Sequence, residues 1–383
     1  MSAGRRSVVI IGGGLGGLTL ANLLQPSAAF HVRVFERDAD AHARSQGYSI
    51  SLKDPGGLVP LRRLDLYDEV REYSSIVETL TILTQGGREL LTLREDPASP
   101  QVKLGVPRKE LRDTLLQGIK EDVVFGETCT GYGTQNGRIV VRFASGKEVV
   151  ADLVVACDGV NSVIRKQMIG DARHYLGIAS IQGKCRMAPS IPALDSGPIM
   201  ALGSGSSLFM LKDGEGVGWS LTTLAPEKEF DGLCHAALKE RAIAATRGWA
   251  SAFERVVSES DPSDLLSLGG FYDRNPLAKA STDGVVLLGD AAHPMSPFRG
   301  EGANTAMQDA LVFADALAKS EANLEVALSS YEREMLNRSR KYLLLSRDSA
   351  REMHSTNWWT QRIRNAKFRI ADFFMKRHQR PKG

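Results

Sequence analysis

Val8-Val9-Ile10-Ile11-Gly12-Gly13-Gly14-Leu15-Gly16-Gly17-Leu18 is the stretch on which the fold turns. Its first four residues are apolar and β-branched, the pattern of a strand buried on both faces of a parallel sheet. The glycines that follow fit G-x-G-x-x-G at Gly12, Gly14 and Gly17. Leu18, Ala21, Leu23 and Leu24 then populate a helix that Pro26 ends. Val32 to Phe35 reads as a second strand, and Glu36 follows it directly. Strand, glycines, helix, strand and acid in this order make a dinucleotide-binding unit. Gly12 permits the tight turn, Gly14 lets a pyrophosphate approach the backbone, and Gly17 lets the helix pack on the strand. The helix N-terminus offers free N–H groups and a positive dipole end to the phosphates. Glu36 stands where an acid accepts hydrogen bonds from ribose hydroxyls.

The rest of the chain sets the frame. With 383 residues there is room for two interleaved domains. Apolar residues make up 43% and charged residues 24%, a globular balance that argues against disorder. The net charge of +3 does not suggest a nucleic-acid binder. Cys129, Cys157, Cys185 and Cys234 are scattered, with no CxxC pair, so neither a metal site nor a disulfide framework is expected. Reduced thiols in a cytoplasmic enzyme are the better reading. No apolar run is long enough to cross a bilayer. Arg5 and Arg6 before Ser7 to Ile11 do not make a signal peptide, because glycines interrupt the apolar run at once.

Two further stretches separate FAD from NAD by resemblance. Val154-Val155-Ala156-Cys157-Asp158-Gly159-Val160-Asn161-Ser162-Val163-Ile164-Arg165 resembles the Asp-Gly motif of the para-hydroxybenzoate hydroxylase-like flavoprotein monooxygenases. Gly284-Val285-Val286-Leu287-Leu288-Gly289-Asp290-Ala291-Ala292-His293-Pro294 resembles their Gly-Asp motif. Pro297-Phe298-Arg299-Gly300-Glu301-Gly302-Ala303-Asn304 resembles their flavin-ring loop. Within that family, Val34 to Asp40, Ala43-Arg44 and Gly47 look most like the tetracycline-inactivating monooxygenases.

The resemblance implies an α/β fold: a Rossmann-like FAD-binding domain at 1–75, 100–175 and 270–345, with an inserted β-sheet substrate-binding domain at 76–99 and 176–269. A C-terminal helical tail covers 346–383. It implies FAD held by Gly12, Gly14, Gly17, Glu36, Arg37, Arg108, Asp158, Asp290, Gly302, Ala303 and Asn304. Arg44, Pro297 and Gly300 would lie nearest the chemistry, Arg44 against the flavin edge or the substrate. NADPH or NADH would reduce FAD, O2 would add to give a flavin C4a-hydroperoxide, and an aromatic or polycyclic small molecule would take the oxygen. A monomer or homodimer is expected.

The residues support this independently. Val285 to Leu288 is another buried strand, and Asp290 stands at its carboxyl end, where open α/β sheets bind ligands. Ala303, Ala306, Met307, Ala310, Ala314 and Leu317 recur at helical spacing, so Gly300 and Gly302 precede a helix N-terminus that stabilises negative charge. Arg108 starts a helix with Leu111 and Leu115 on one face. Arg165 either ties down its loop, with Asp158 as partner, or steers a nicotinamide cofactor. For His293 a packing or hydrogen-bonding role is expected rather than that of a general base.

In the inserted region, Gly177 to Met187, Ser207 to Lys212 and Val217 to Leu224 read as strands, with short strands near 78–94 joining them. A sheet covering the flavin face would fit. Residues 227–256 read as helices. Only one GxGxxG exists, so the nicotinamide has no Rossmann domain of its own. Val217-Gly218-Trp219-Ser220 lacks the histidine that tetracycline-inactivating relatives carry nearby, which argues against tetracycline. Two alternatives stay open: dehydrogenation or oxidation on the same fold, and a non-catalytic flavin-bound protein that sequesters a ligand. Halogenation is disfavoured for want of a Trp-x-Trp segment.

From Arg351 onward there are nine Lys and Arg against two acids, Glu352 and Asp372. Trp359, Ile363, Ala366, Ile370, Phe373 and Phe374 recur at helical spacing. A helix that packs this stripe against the protein is the stronger reading, and a membrane-surface helix the weaker.

Overall fold

The computed structural model describes residues 5–43, 49–94, 102–214, 216–320 and 323–378. The chain divides into two compact units. The first takes residues 1–76, 101–174 and 272–347; the second takes 77–100, 175–271 and 348–383.

The first unit is built on a six-stranded sheet in the order Ser281–Thr282, Val285–Leu287, Leu153–Ala156, Arg6–Ile11, Phe30–Phe35, Val123–Val124. All neighbours run parallel except the Ser281–Thr282 edge. The central strands carry unbroken runs of Val, Ile, Leu and Ala, and Val8, Ile10 and the whole of Leu153–Ala156 are sealed from solvent. Continuous apolar runs are what a sheet covered on both faces requires. Each buried Val, Leu or Ile side chain contributes about 1.5–3 kcal/mol. The helices Leu15–Leu24 and Gly302–Lys319 pack closely together. A methyl group at Gly16 would come within 2.8 Å of Leu288 Cδ2 and 3.3 Å of the Ala306 carbonyl. Tyr331, on the long helix Leu324–Met353, donates its hydroxyl to the Leu287 carbonyl at 3.0 Å. Two three-stranded sheets complete this unit: Cys129–Gln135, Arg138–Phe143 and Glu148–Ala151, and Ser49–Lys53, Lys103–Pro107 and Ser75–Ile76.

The second unit holds a seven-stranded sheet in the order Leu266–Asp273, His174–Cys185, Gly216–Leu224, Ser206–Asp213, Ile199–Leu202, Thr79–Thr84, Glu89–Arg94. The strands near 78–94 do join it, and Ile199–Leu202 pairs in parallel with Thr79–Thr84. Period-2 alternation gives the sheet two characters. Ile181, Leu208, Met210, Val217, Trp219 and Leu221 face a core shared with the helices His235–Thr246 and Ser251–Ser258. Gly183 is opposite Trp219 in register, and a Cβ there would lie 2.4 Å from the indole. On the other face, hydroxyls pair across strands: Ser180 with Ser220 at 3.2 Å and Ser207 with Thr222 at 2.7 Å.

The C-terminal helix Trp358–His378 starts where the Asn357 side chain accepts N–H bonds from Trp359 and Thr360. The periodicity located the helix but not its inner face. Trp359, Ile363, Ala366, Ile370, Phe373 and Phe374, expected to pack, are all exposed. Arg364, Phe368, Ala371 and Asp372 face the protein instead.

Candidate functional site

Four parallel strands end side by side. Ile11 is in register with both Phe35 and Ala156, and Ala156 with Leu287. The next residues of each segment are Gly12, Glu36, Cys157-Asp158 and Leu288-Gly289-Asp290, so motifs spread over nearly three hundred residues converge on one edge of the sheet. That edge, at the strands' carboxyl ends, is where open α/β sheets hold ligands.

The three fingerprint glycines differ in what surrounds them. Gly12 has φ +105°, and a Cβ there would lie 2.3 Å from the Cys157 carbonyl oxygen. A Cβ on Gly17 would lie 2.2 Å from the Gly12 oxygen. Around Gly14 no atom comes within 4 Å of that position. Protein packing therefore accounts for Gly12 and Gly17 but leaves space beside Gly14. The first bond within the following helix runs from the Leu18 N–H to the Gly14 carbonyl at 2.9 Å. The N–H groups of residues 15–17 precede it, with no side chain capping them. Glu36 is buried and accepts from the Gly13 N–H at 2.6 Å and the Asp38 N–H at 2.9 Å. Each carboxylate oxygen keeps a lone pair for a further donor. Arg37 beside it is exposed.

Asp158 accepts from the Val163 N–H at 2.8 Å with one oxygen, and its other oxygen is buried without a hydrogen-bond partner. Burial pushes its carboxyl pKa up, against the hydrogen bonds it accepts. Asp290 has an exposed surface, yet protein crowds it closely enough for burial to raise its pKa as well. Both facts hold together if the carboxylate lines a recess. The charges of His293 and Arg108 reach it and oppose the shift. A Cβ on Gly302 would lie 3.9 Å from Asp290 Oδ1, which puts this carboxylate beside the start of the Gly302–Lys319 helix. The first bond of that helix is Thr305 N–H to the Glu301 carbonyl at 2.8 Å, so the N–H groups of Gly302, Ala303 and Asn304 precede it. Before it, Pro297–Arg299 forms a 3-10 turn and Gly300 takes the left-handed conformation at φ +65°. An uncapped helix end, a carboxylate oxygen without a partner and the space at Gly14 all fit an extended dinucleotide ligand.

Residues 5–183 and 250–345 match the FAD binding domain family. The aurachin C monooxygenase/isomerase of Stigmatella aurantiaca is 30% identical over 343 residues, covering 88% of this chain and 87% of that protein. A 3-amino-4-hydroxybenzoate 2-monooxygenase of Streptomyces platensis is 29% identical over 387 residues, covering 97% and 94%. The chain belongs to this family of FAD-dependent monooxygenases. FAD is its flavin, NAD(P)H its reductant and O2 its oxidant. Two solved structures show the same fold. Klebsiella pneumoniae HpxO complexed with FAD and uric acid has TM-score 0.82 at 21% identity, covering 95% of this chain and 93% of that one. A tetracycline destructase has TM-score 0.68 at 17% identity, covering 97% of each.

In this monooxygenase several polar residues brace the site. Arg165 is fully buried and pairs with Asp171 through two bonds, 2.9 and 2.5 Å, not with Asp158. It also donates to the carbonyls of Ala291 and Ala292, just after Asp290. Sealed in this way, it ties two loops together and offers no cation to a nicotinamide cofactor. His293 bonds Asp309 at 2.5 Å; Asp309 also accepts from Arg338 at 2.6 Å and from the Gly289 N–H at 3.1 Å. His293 thus braces the Gly-Asp loop from behind. The Asn304 amide is spent on protein: it donates to the carbonyls of Ser51 and Gly300 and accepts from the N–H groups of Lys53 and Gly57. What Asn304 can offer a flavin is its backbone, not its side chain. Glu301, one residue before the helix, pairs with Lys53.

Sequence reasoning missed Arg112. It is buried, donates to the Gly13 carbonyl at 3.1 Å and the Ala41 carbonyl at 2.5 Å, and lies 3.7 Å from the Asp38 carboxylate. It clamps the fingerprint loop to the segment after Glu36. Arg108, four residues earlier on the same helix, is exposed. Arg44 and Gly47 lie outside the described residues. Among the described residues no cluster of His, Cys, Asp or Glu could hold a metal ion.

Proposed function

We propose that this monooxygenase hydroxylates an electron-rich aromatic ring, one bearing a hydroxyl or amino group. Its relatives include proteins named for 3-amino-4-hydroxybenzoate, 6-hydroxynicotinate and a 2-heptyl-3-hydroxy-4(1H)-quinolone. The observation that supports the reading is the common register of four strand ends, which brings Gly12, Glu36, Asp158 and Asp290 to one edge of the sheet. Bound there, reduced FAD supplies the activation of O2. The N–H groups of residues 15–17 hold the pyrophosphate, which the space at Gly14 admits. Glu36 would hold the adenosine ribose, with the exposed Arg37 beside it in the chain. Asp290 accepts from the ribityl chain, with Arg108 near its charge, and Asp158 braces the neighbouring loop. The backbone N–H groups of Gly302, Ala303 and Asn304, after the Pro297–Gly300 turn, would stabilise negative charge on the flavin ring.

The second unit supplies the substrate contacts. Its sheet has one face committed to an apolar core, and the other carries hydroxyls and the Gln182 side-chain carbonyl, which is buried without a partner. A buried acceptor of this kind suits a ring substituent that donates. The protein works as a cytoplasmic monomer or homodimer.

The test is NAD(P)H oxidation with a panel of hydroxylated and aminated benzoates, pyridines and quinolones. One substrate is expected to stimulate NAD(P)H and O2 consumption together and to yield a product carrying one atom from labelled O2. A product without that atom would assign dehydrogenation instead.

A further inference from the structure

The helix Trp358–His378 is two-sided. Its inner side packs on the protein. Arg364 is buried and donates to the carbonyls of Glu352 and Met353, Phe368 and Ala371 pack on a core of Ile82, Leu90, Leu91 and Leu202, and Asp372 accepts from the Thr92 N–H. At about 100° per residue, Trp359, Ile363, Ala366, Ile370, Phe373 and Phe374 fall on the opposite side. Apart from Ala366, these side chains are 55–60% exposed. Of sixteen large apolar side chains exposed among the described residues, seven belong to this one helix. A contiguous apolar stripe of this kind marks an interaction surface.

Charge identifies the occupant. Arg362, Arg369 and Lys376 flank the stripe on one side, Lys367 lies on the other, and Arg377 stands near its end. Lys367 pairs with Glu352, and Lys376 with Glu89 and Asp372. Arg362 lies over the Trp358 ring and Arg377 over that of Phe373, so these cations border the aromatic surface itself. Asp372, the helix's one acid, is on the inner side. A second copy of the chain would set cation against cation along two such helices. An anionic lipid surface would take the aromatic rings at its acyl boundary and the arginines at its phosphates. The helix is about 30 Å long, enough to lie along such a surface. No helix among the described residues is long and apolar enough to cross a membrane.

We propose that the outer face of Trp358–His378 docks this enzyme on membranes containing anionic phospholipid. The test is co-sedimentation of the full-length FAD-loaded enzyme with vesicles of phosphatidylglycerol and phosphatidylcholine, against vesicles of phosphatidylcholine alone. Binding is expected to the mixed vesicles and to weaken as salt is raised. Trp219 and Trp249 are buried, so a blue shift in tryptophan emission on binding would come from Trp358 and Trp359. The triple variant Trp359→Ser/Phe373→Ser/Phe374→Ser should lose at least about tenfold in partitioning with flavin content and melting temperature unchanged. Arg362→Gln and Arg369→Gln should each weaken it by about fivefold. Failure to sediment with the mixed vesicles at low salt, or equal binding to both vesicle types, overturns the proposal. So does a solution dimer that the triple variant dissociates, which would assign the face to a second copy.

Discussion

His293 in the first unit and His354 in the second are buried almost equally, and their surroundings push them in opposite directions. Burial alone lowers a histidine pKa. At His293 it is outweighed by the charge and hydrogen bond of Asp309, and the pKa rises. Asp309 is held down in turn by His293 and Arg338, against its own burial. At His354 burial wins, helped by the Arg364 charge, and the pKa falls to about 4. Its ring bonds the Thr222 hydroxyl at 2.8 Å and the Ala350 carbonyl at 2.9 Å, neutral partners both. The first unit braces the carboxyl end of its sheet with paired charges such as Arg165–Asp171 and His293–Asp309. The second builds its sheet face from neutral hydroxyl pairs, with Arg364 as a buried cation held by carbonyls.

The largest effect expected on this contrast is at Gly14. Gly14→Val fills space that the protein leaves open, so the chain should fold normally and retain no FAD. Absorbance at 450 nm of the purified protein checks this, and a yellow variant with full flavin would sink the fingerprint assignment. Gly17→Ala should fail differently, losing about 1–3 kcal/mol of stability because its Cβ meets the Gly12 carbonyl.

Next comes the buried charge network. Asp309→Ala strands the buried His293, leaves Arg338 with Glu334 alone and should cost about 3–5 kcal/mol in denaturant unfolding. Thr222→Val beside His354 should cost about 0.5–1.5 kcal/mol. Equal losses at the two positions would erase the distinction between the units.

Asp290→Ala should leave the fold intact and weaken FAD binding. A charged hydrogen bond is worth about 1.5–3 kcal/mol, so titration with FAD should show a loss of tenfold or more. Unchanged affinity would remove Asp290 from the cofactor site.

The smallest effects lie in the pH dependence. His354 binds a proton more weakly folded than unfolded, so stability should fall as pH drops from about 6.5 to about 4. His293 binds its proton more tightly when folded. Its contribution is therefore complete below about 6.5 and is lost as pH rises through the higher folded value. His354→Gln should flatten the acid limb and His293→Gln the alkaline one, as read by melting temperature against pH. A pair of variants with the limbs exchanged would contradict both environments.

Legibility in the sequence follows the same division. The fingerprint could be read because backbone demands restrict Gly12 and Gly17 to one residue type, and Asp290 because it follows a buried strand. Arg112 could not, since its partners are the carbonyls of Gly13 and Ala41, which no residue type encodes. Asp171 was equally hidden as the partner of Arg165, because nothing in the spacing prefers it to Asp158. The strand Ile199–Leu202 has only four residues, too few for alternation to register. In the last helix the periodicity was legible and the orientation was not: the buried Arg364 finds its carbonyls only in three dimensions.

The chain passes between the two units five times, and the second unit is assembled from three separated stretches. No single genetic crossover can exchange that unit whole. Yet residues 175–271 alone carry nearly all of five of its seven strands, with both helices that cover them. Recombination bounded by that stretch would replace most of the proposed substrate surface while leaving the proposed cofactor residues untouched. On the proposed division of roles, descendants of this scaffold can inherit their flavin chemistry and their specificity from different parents.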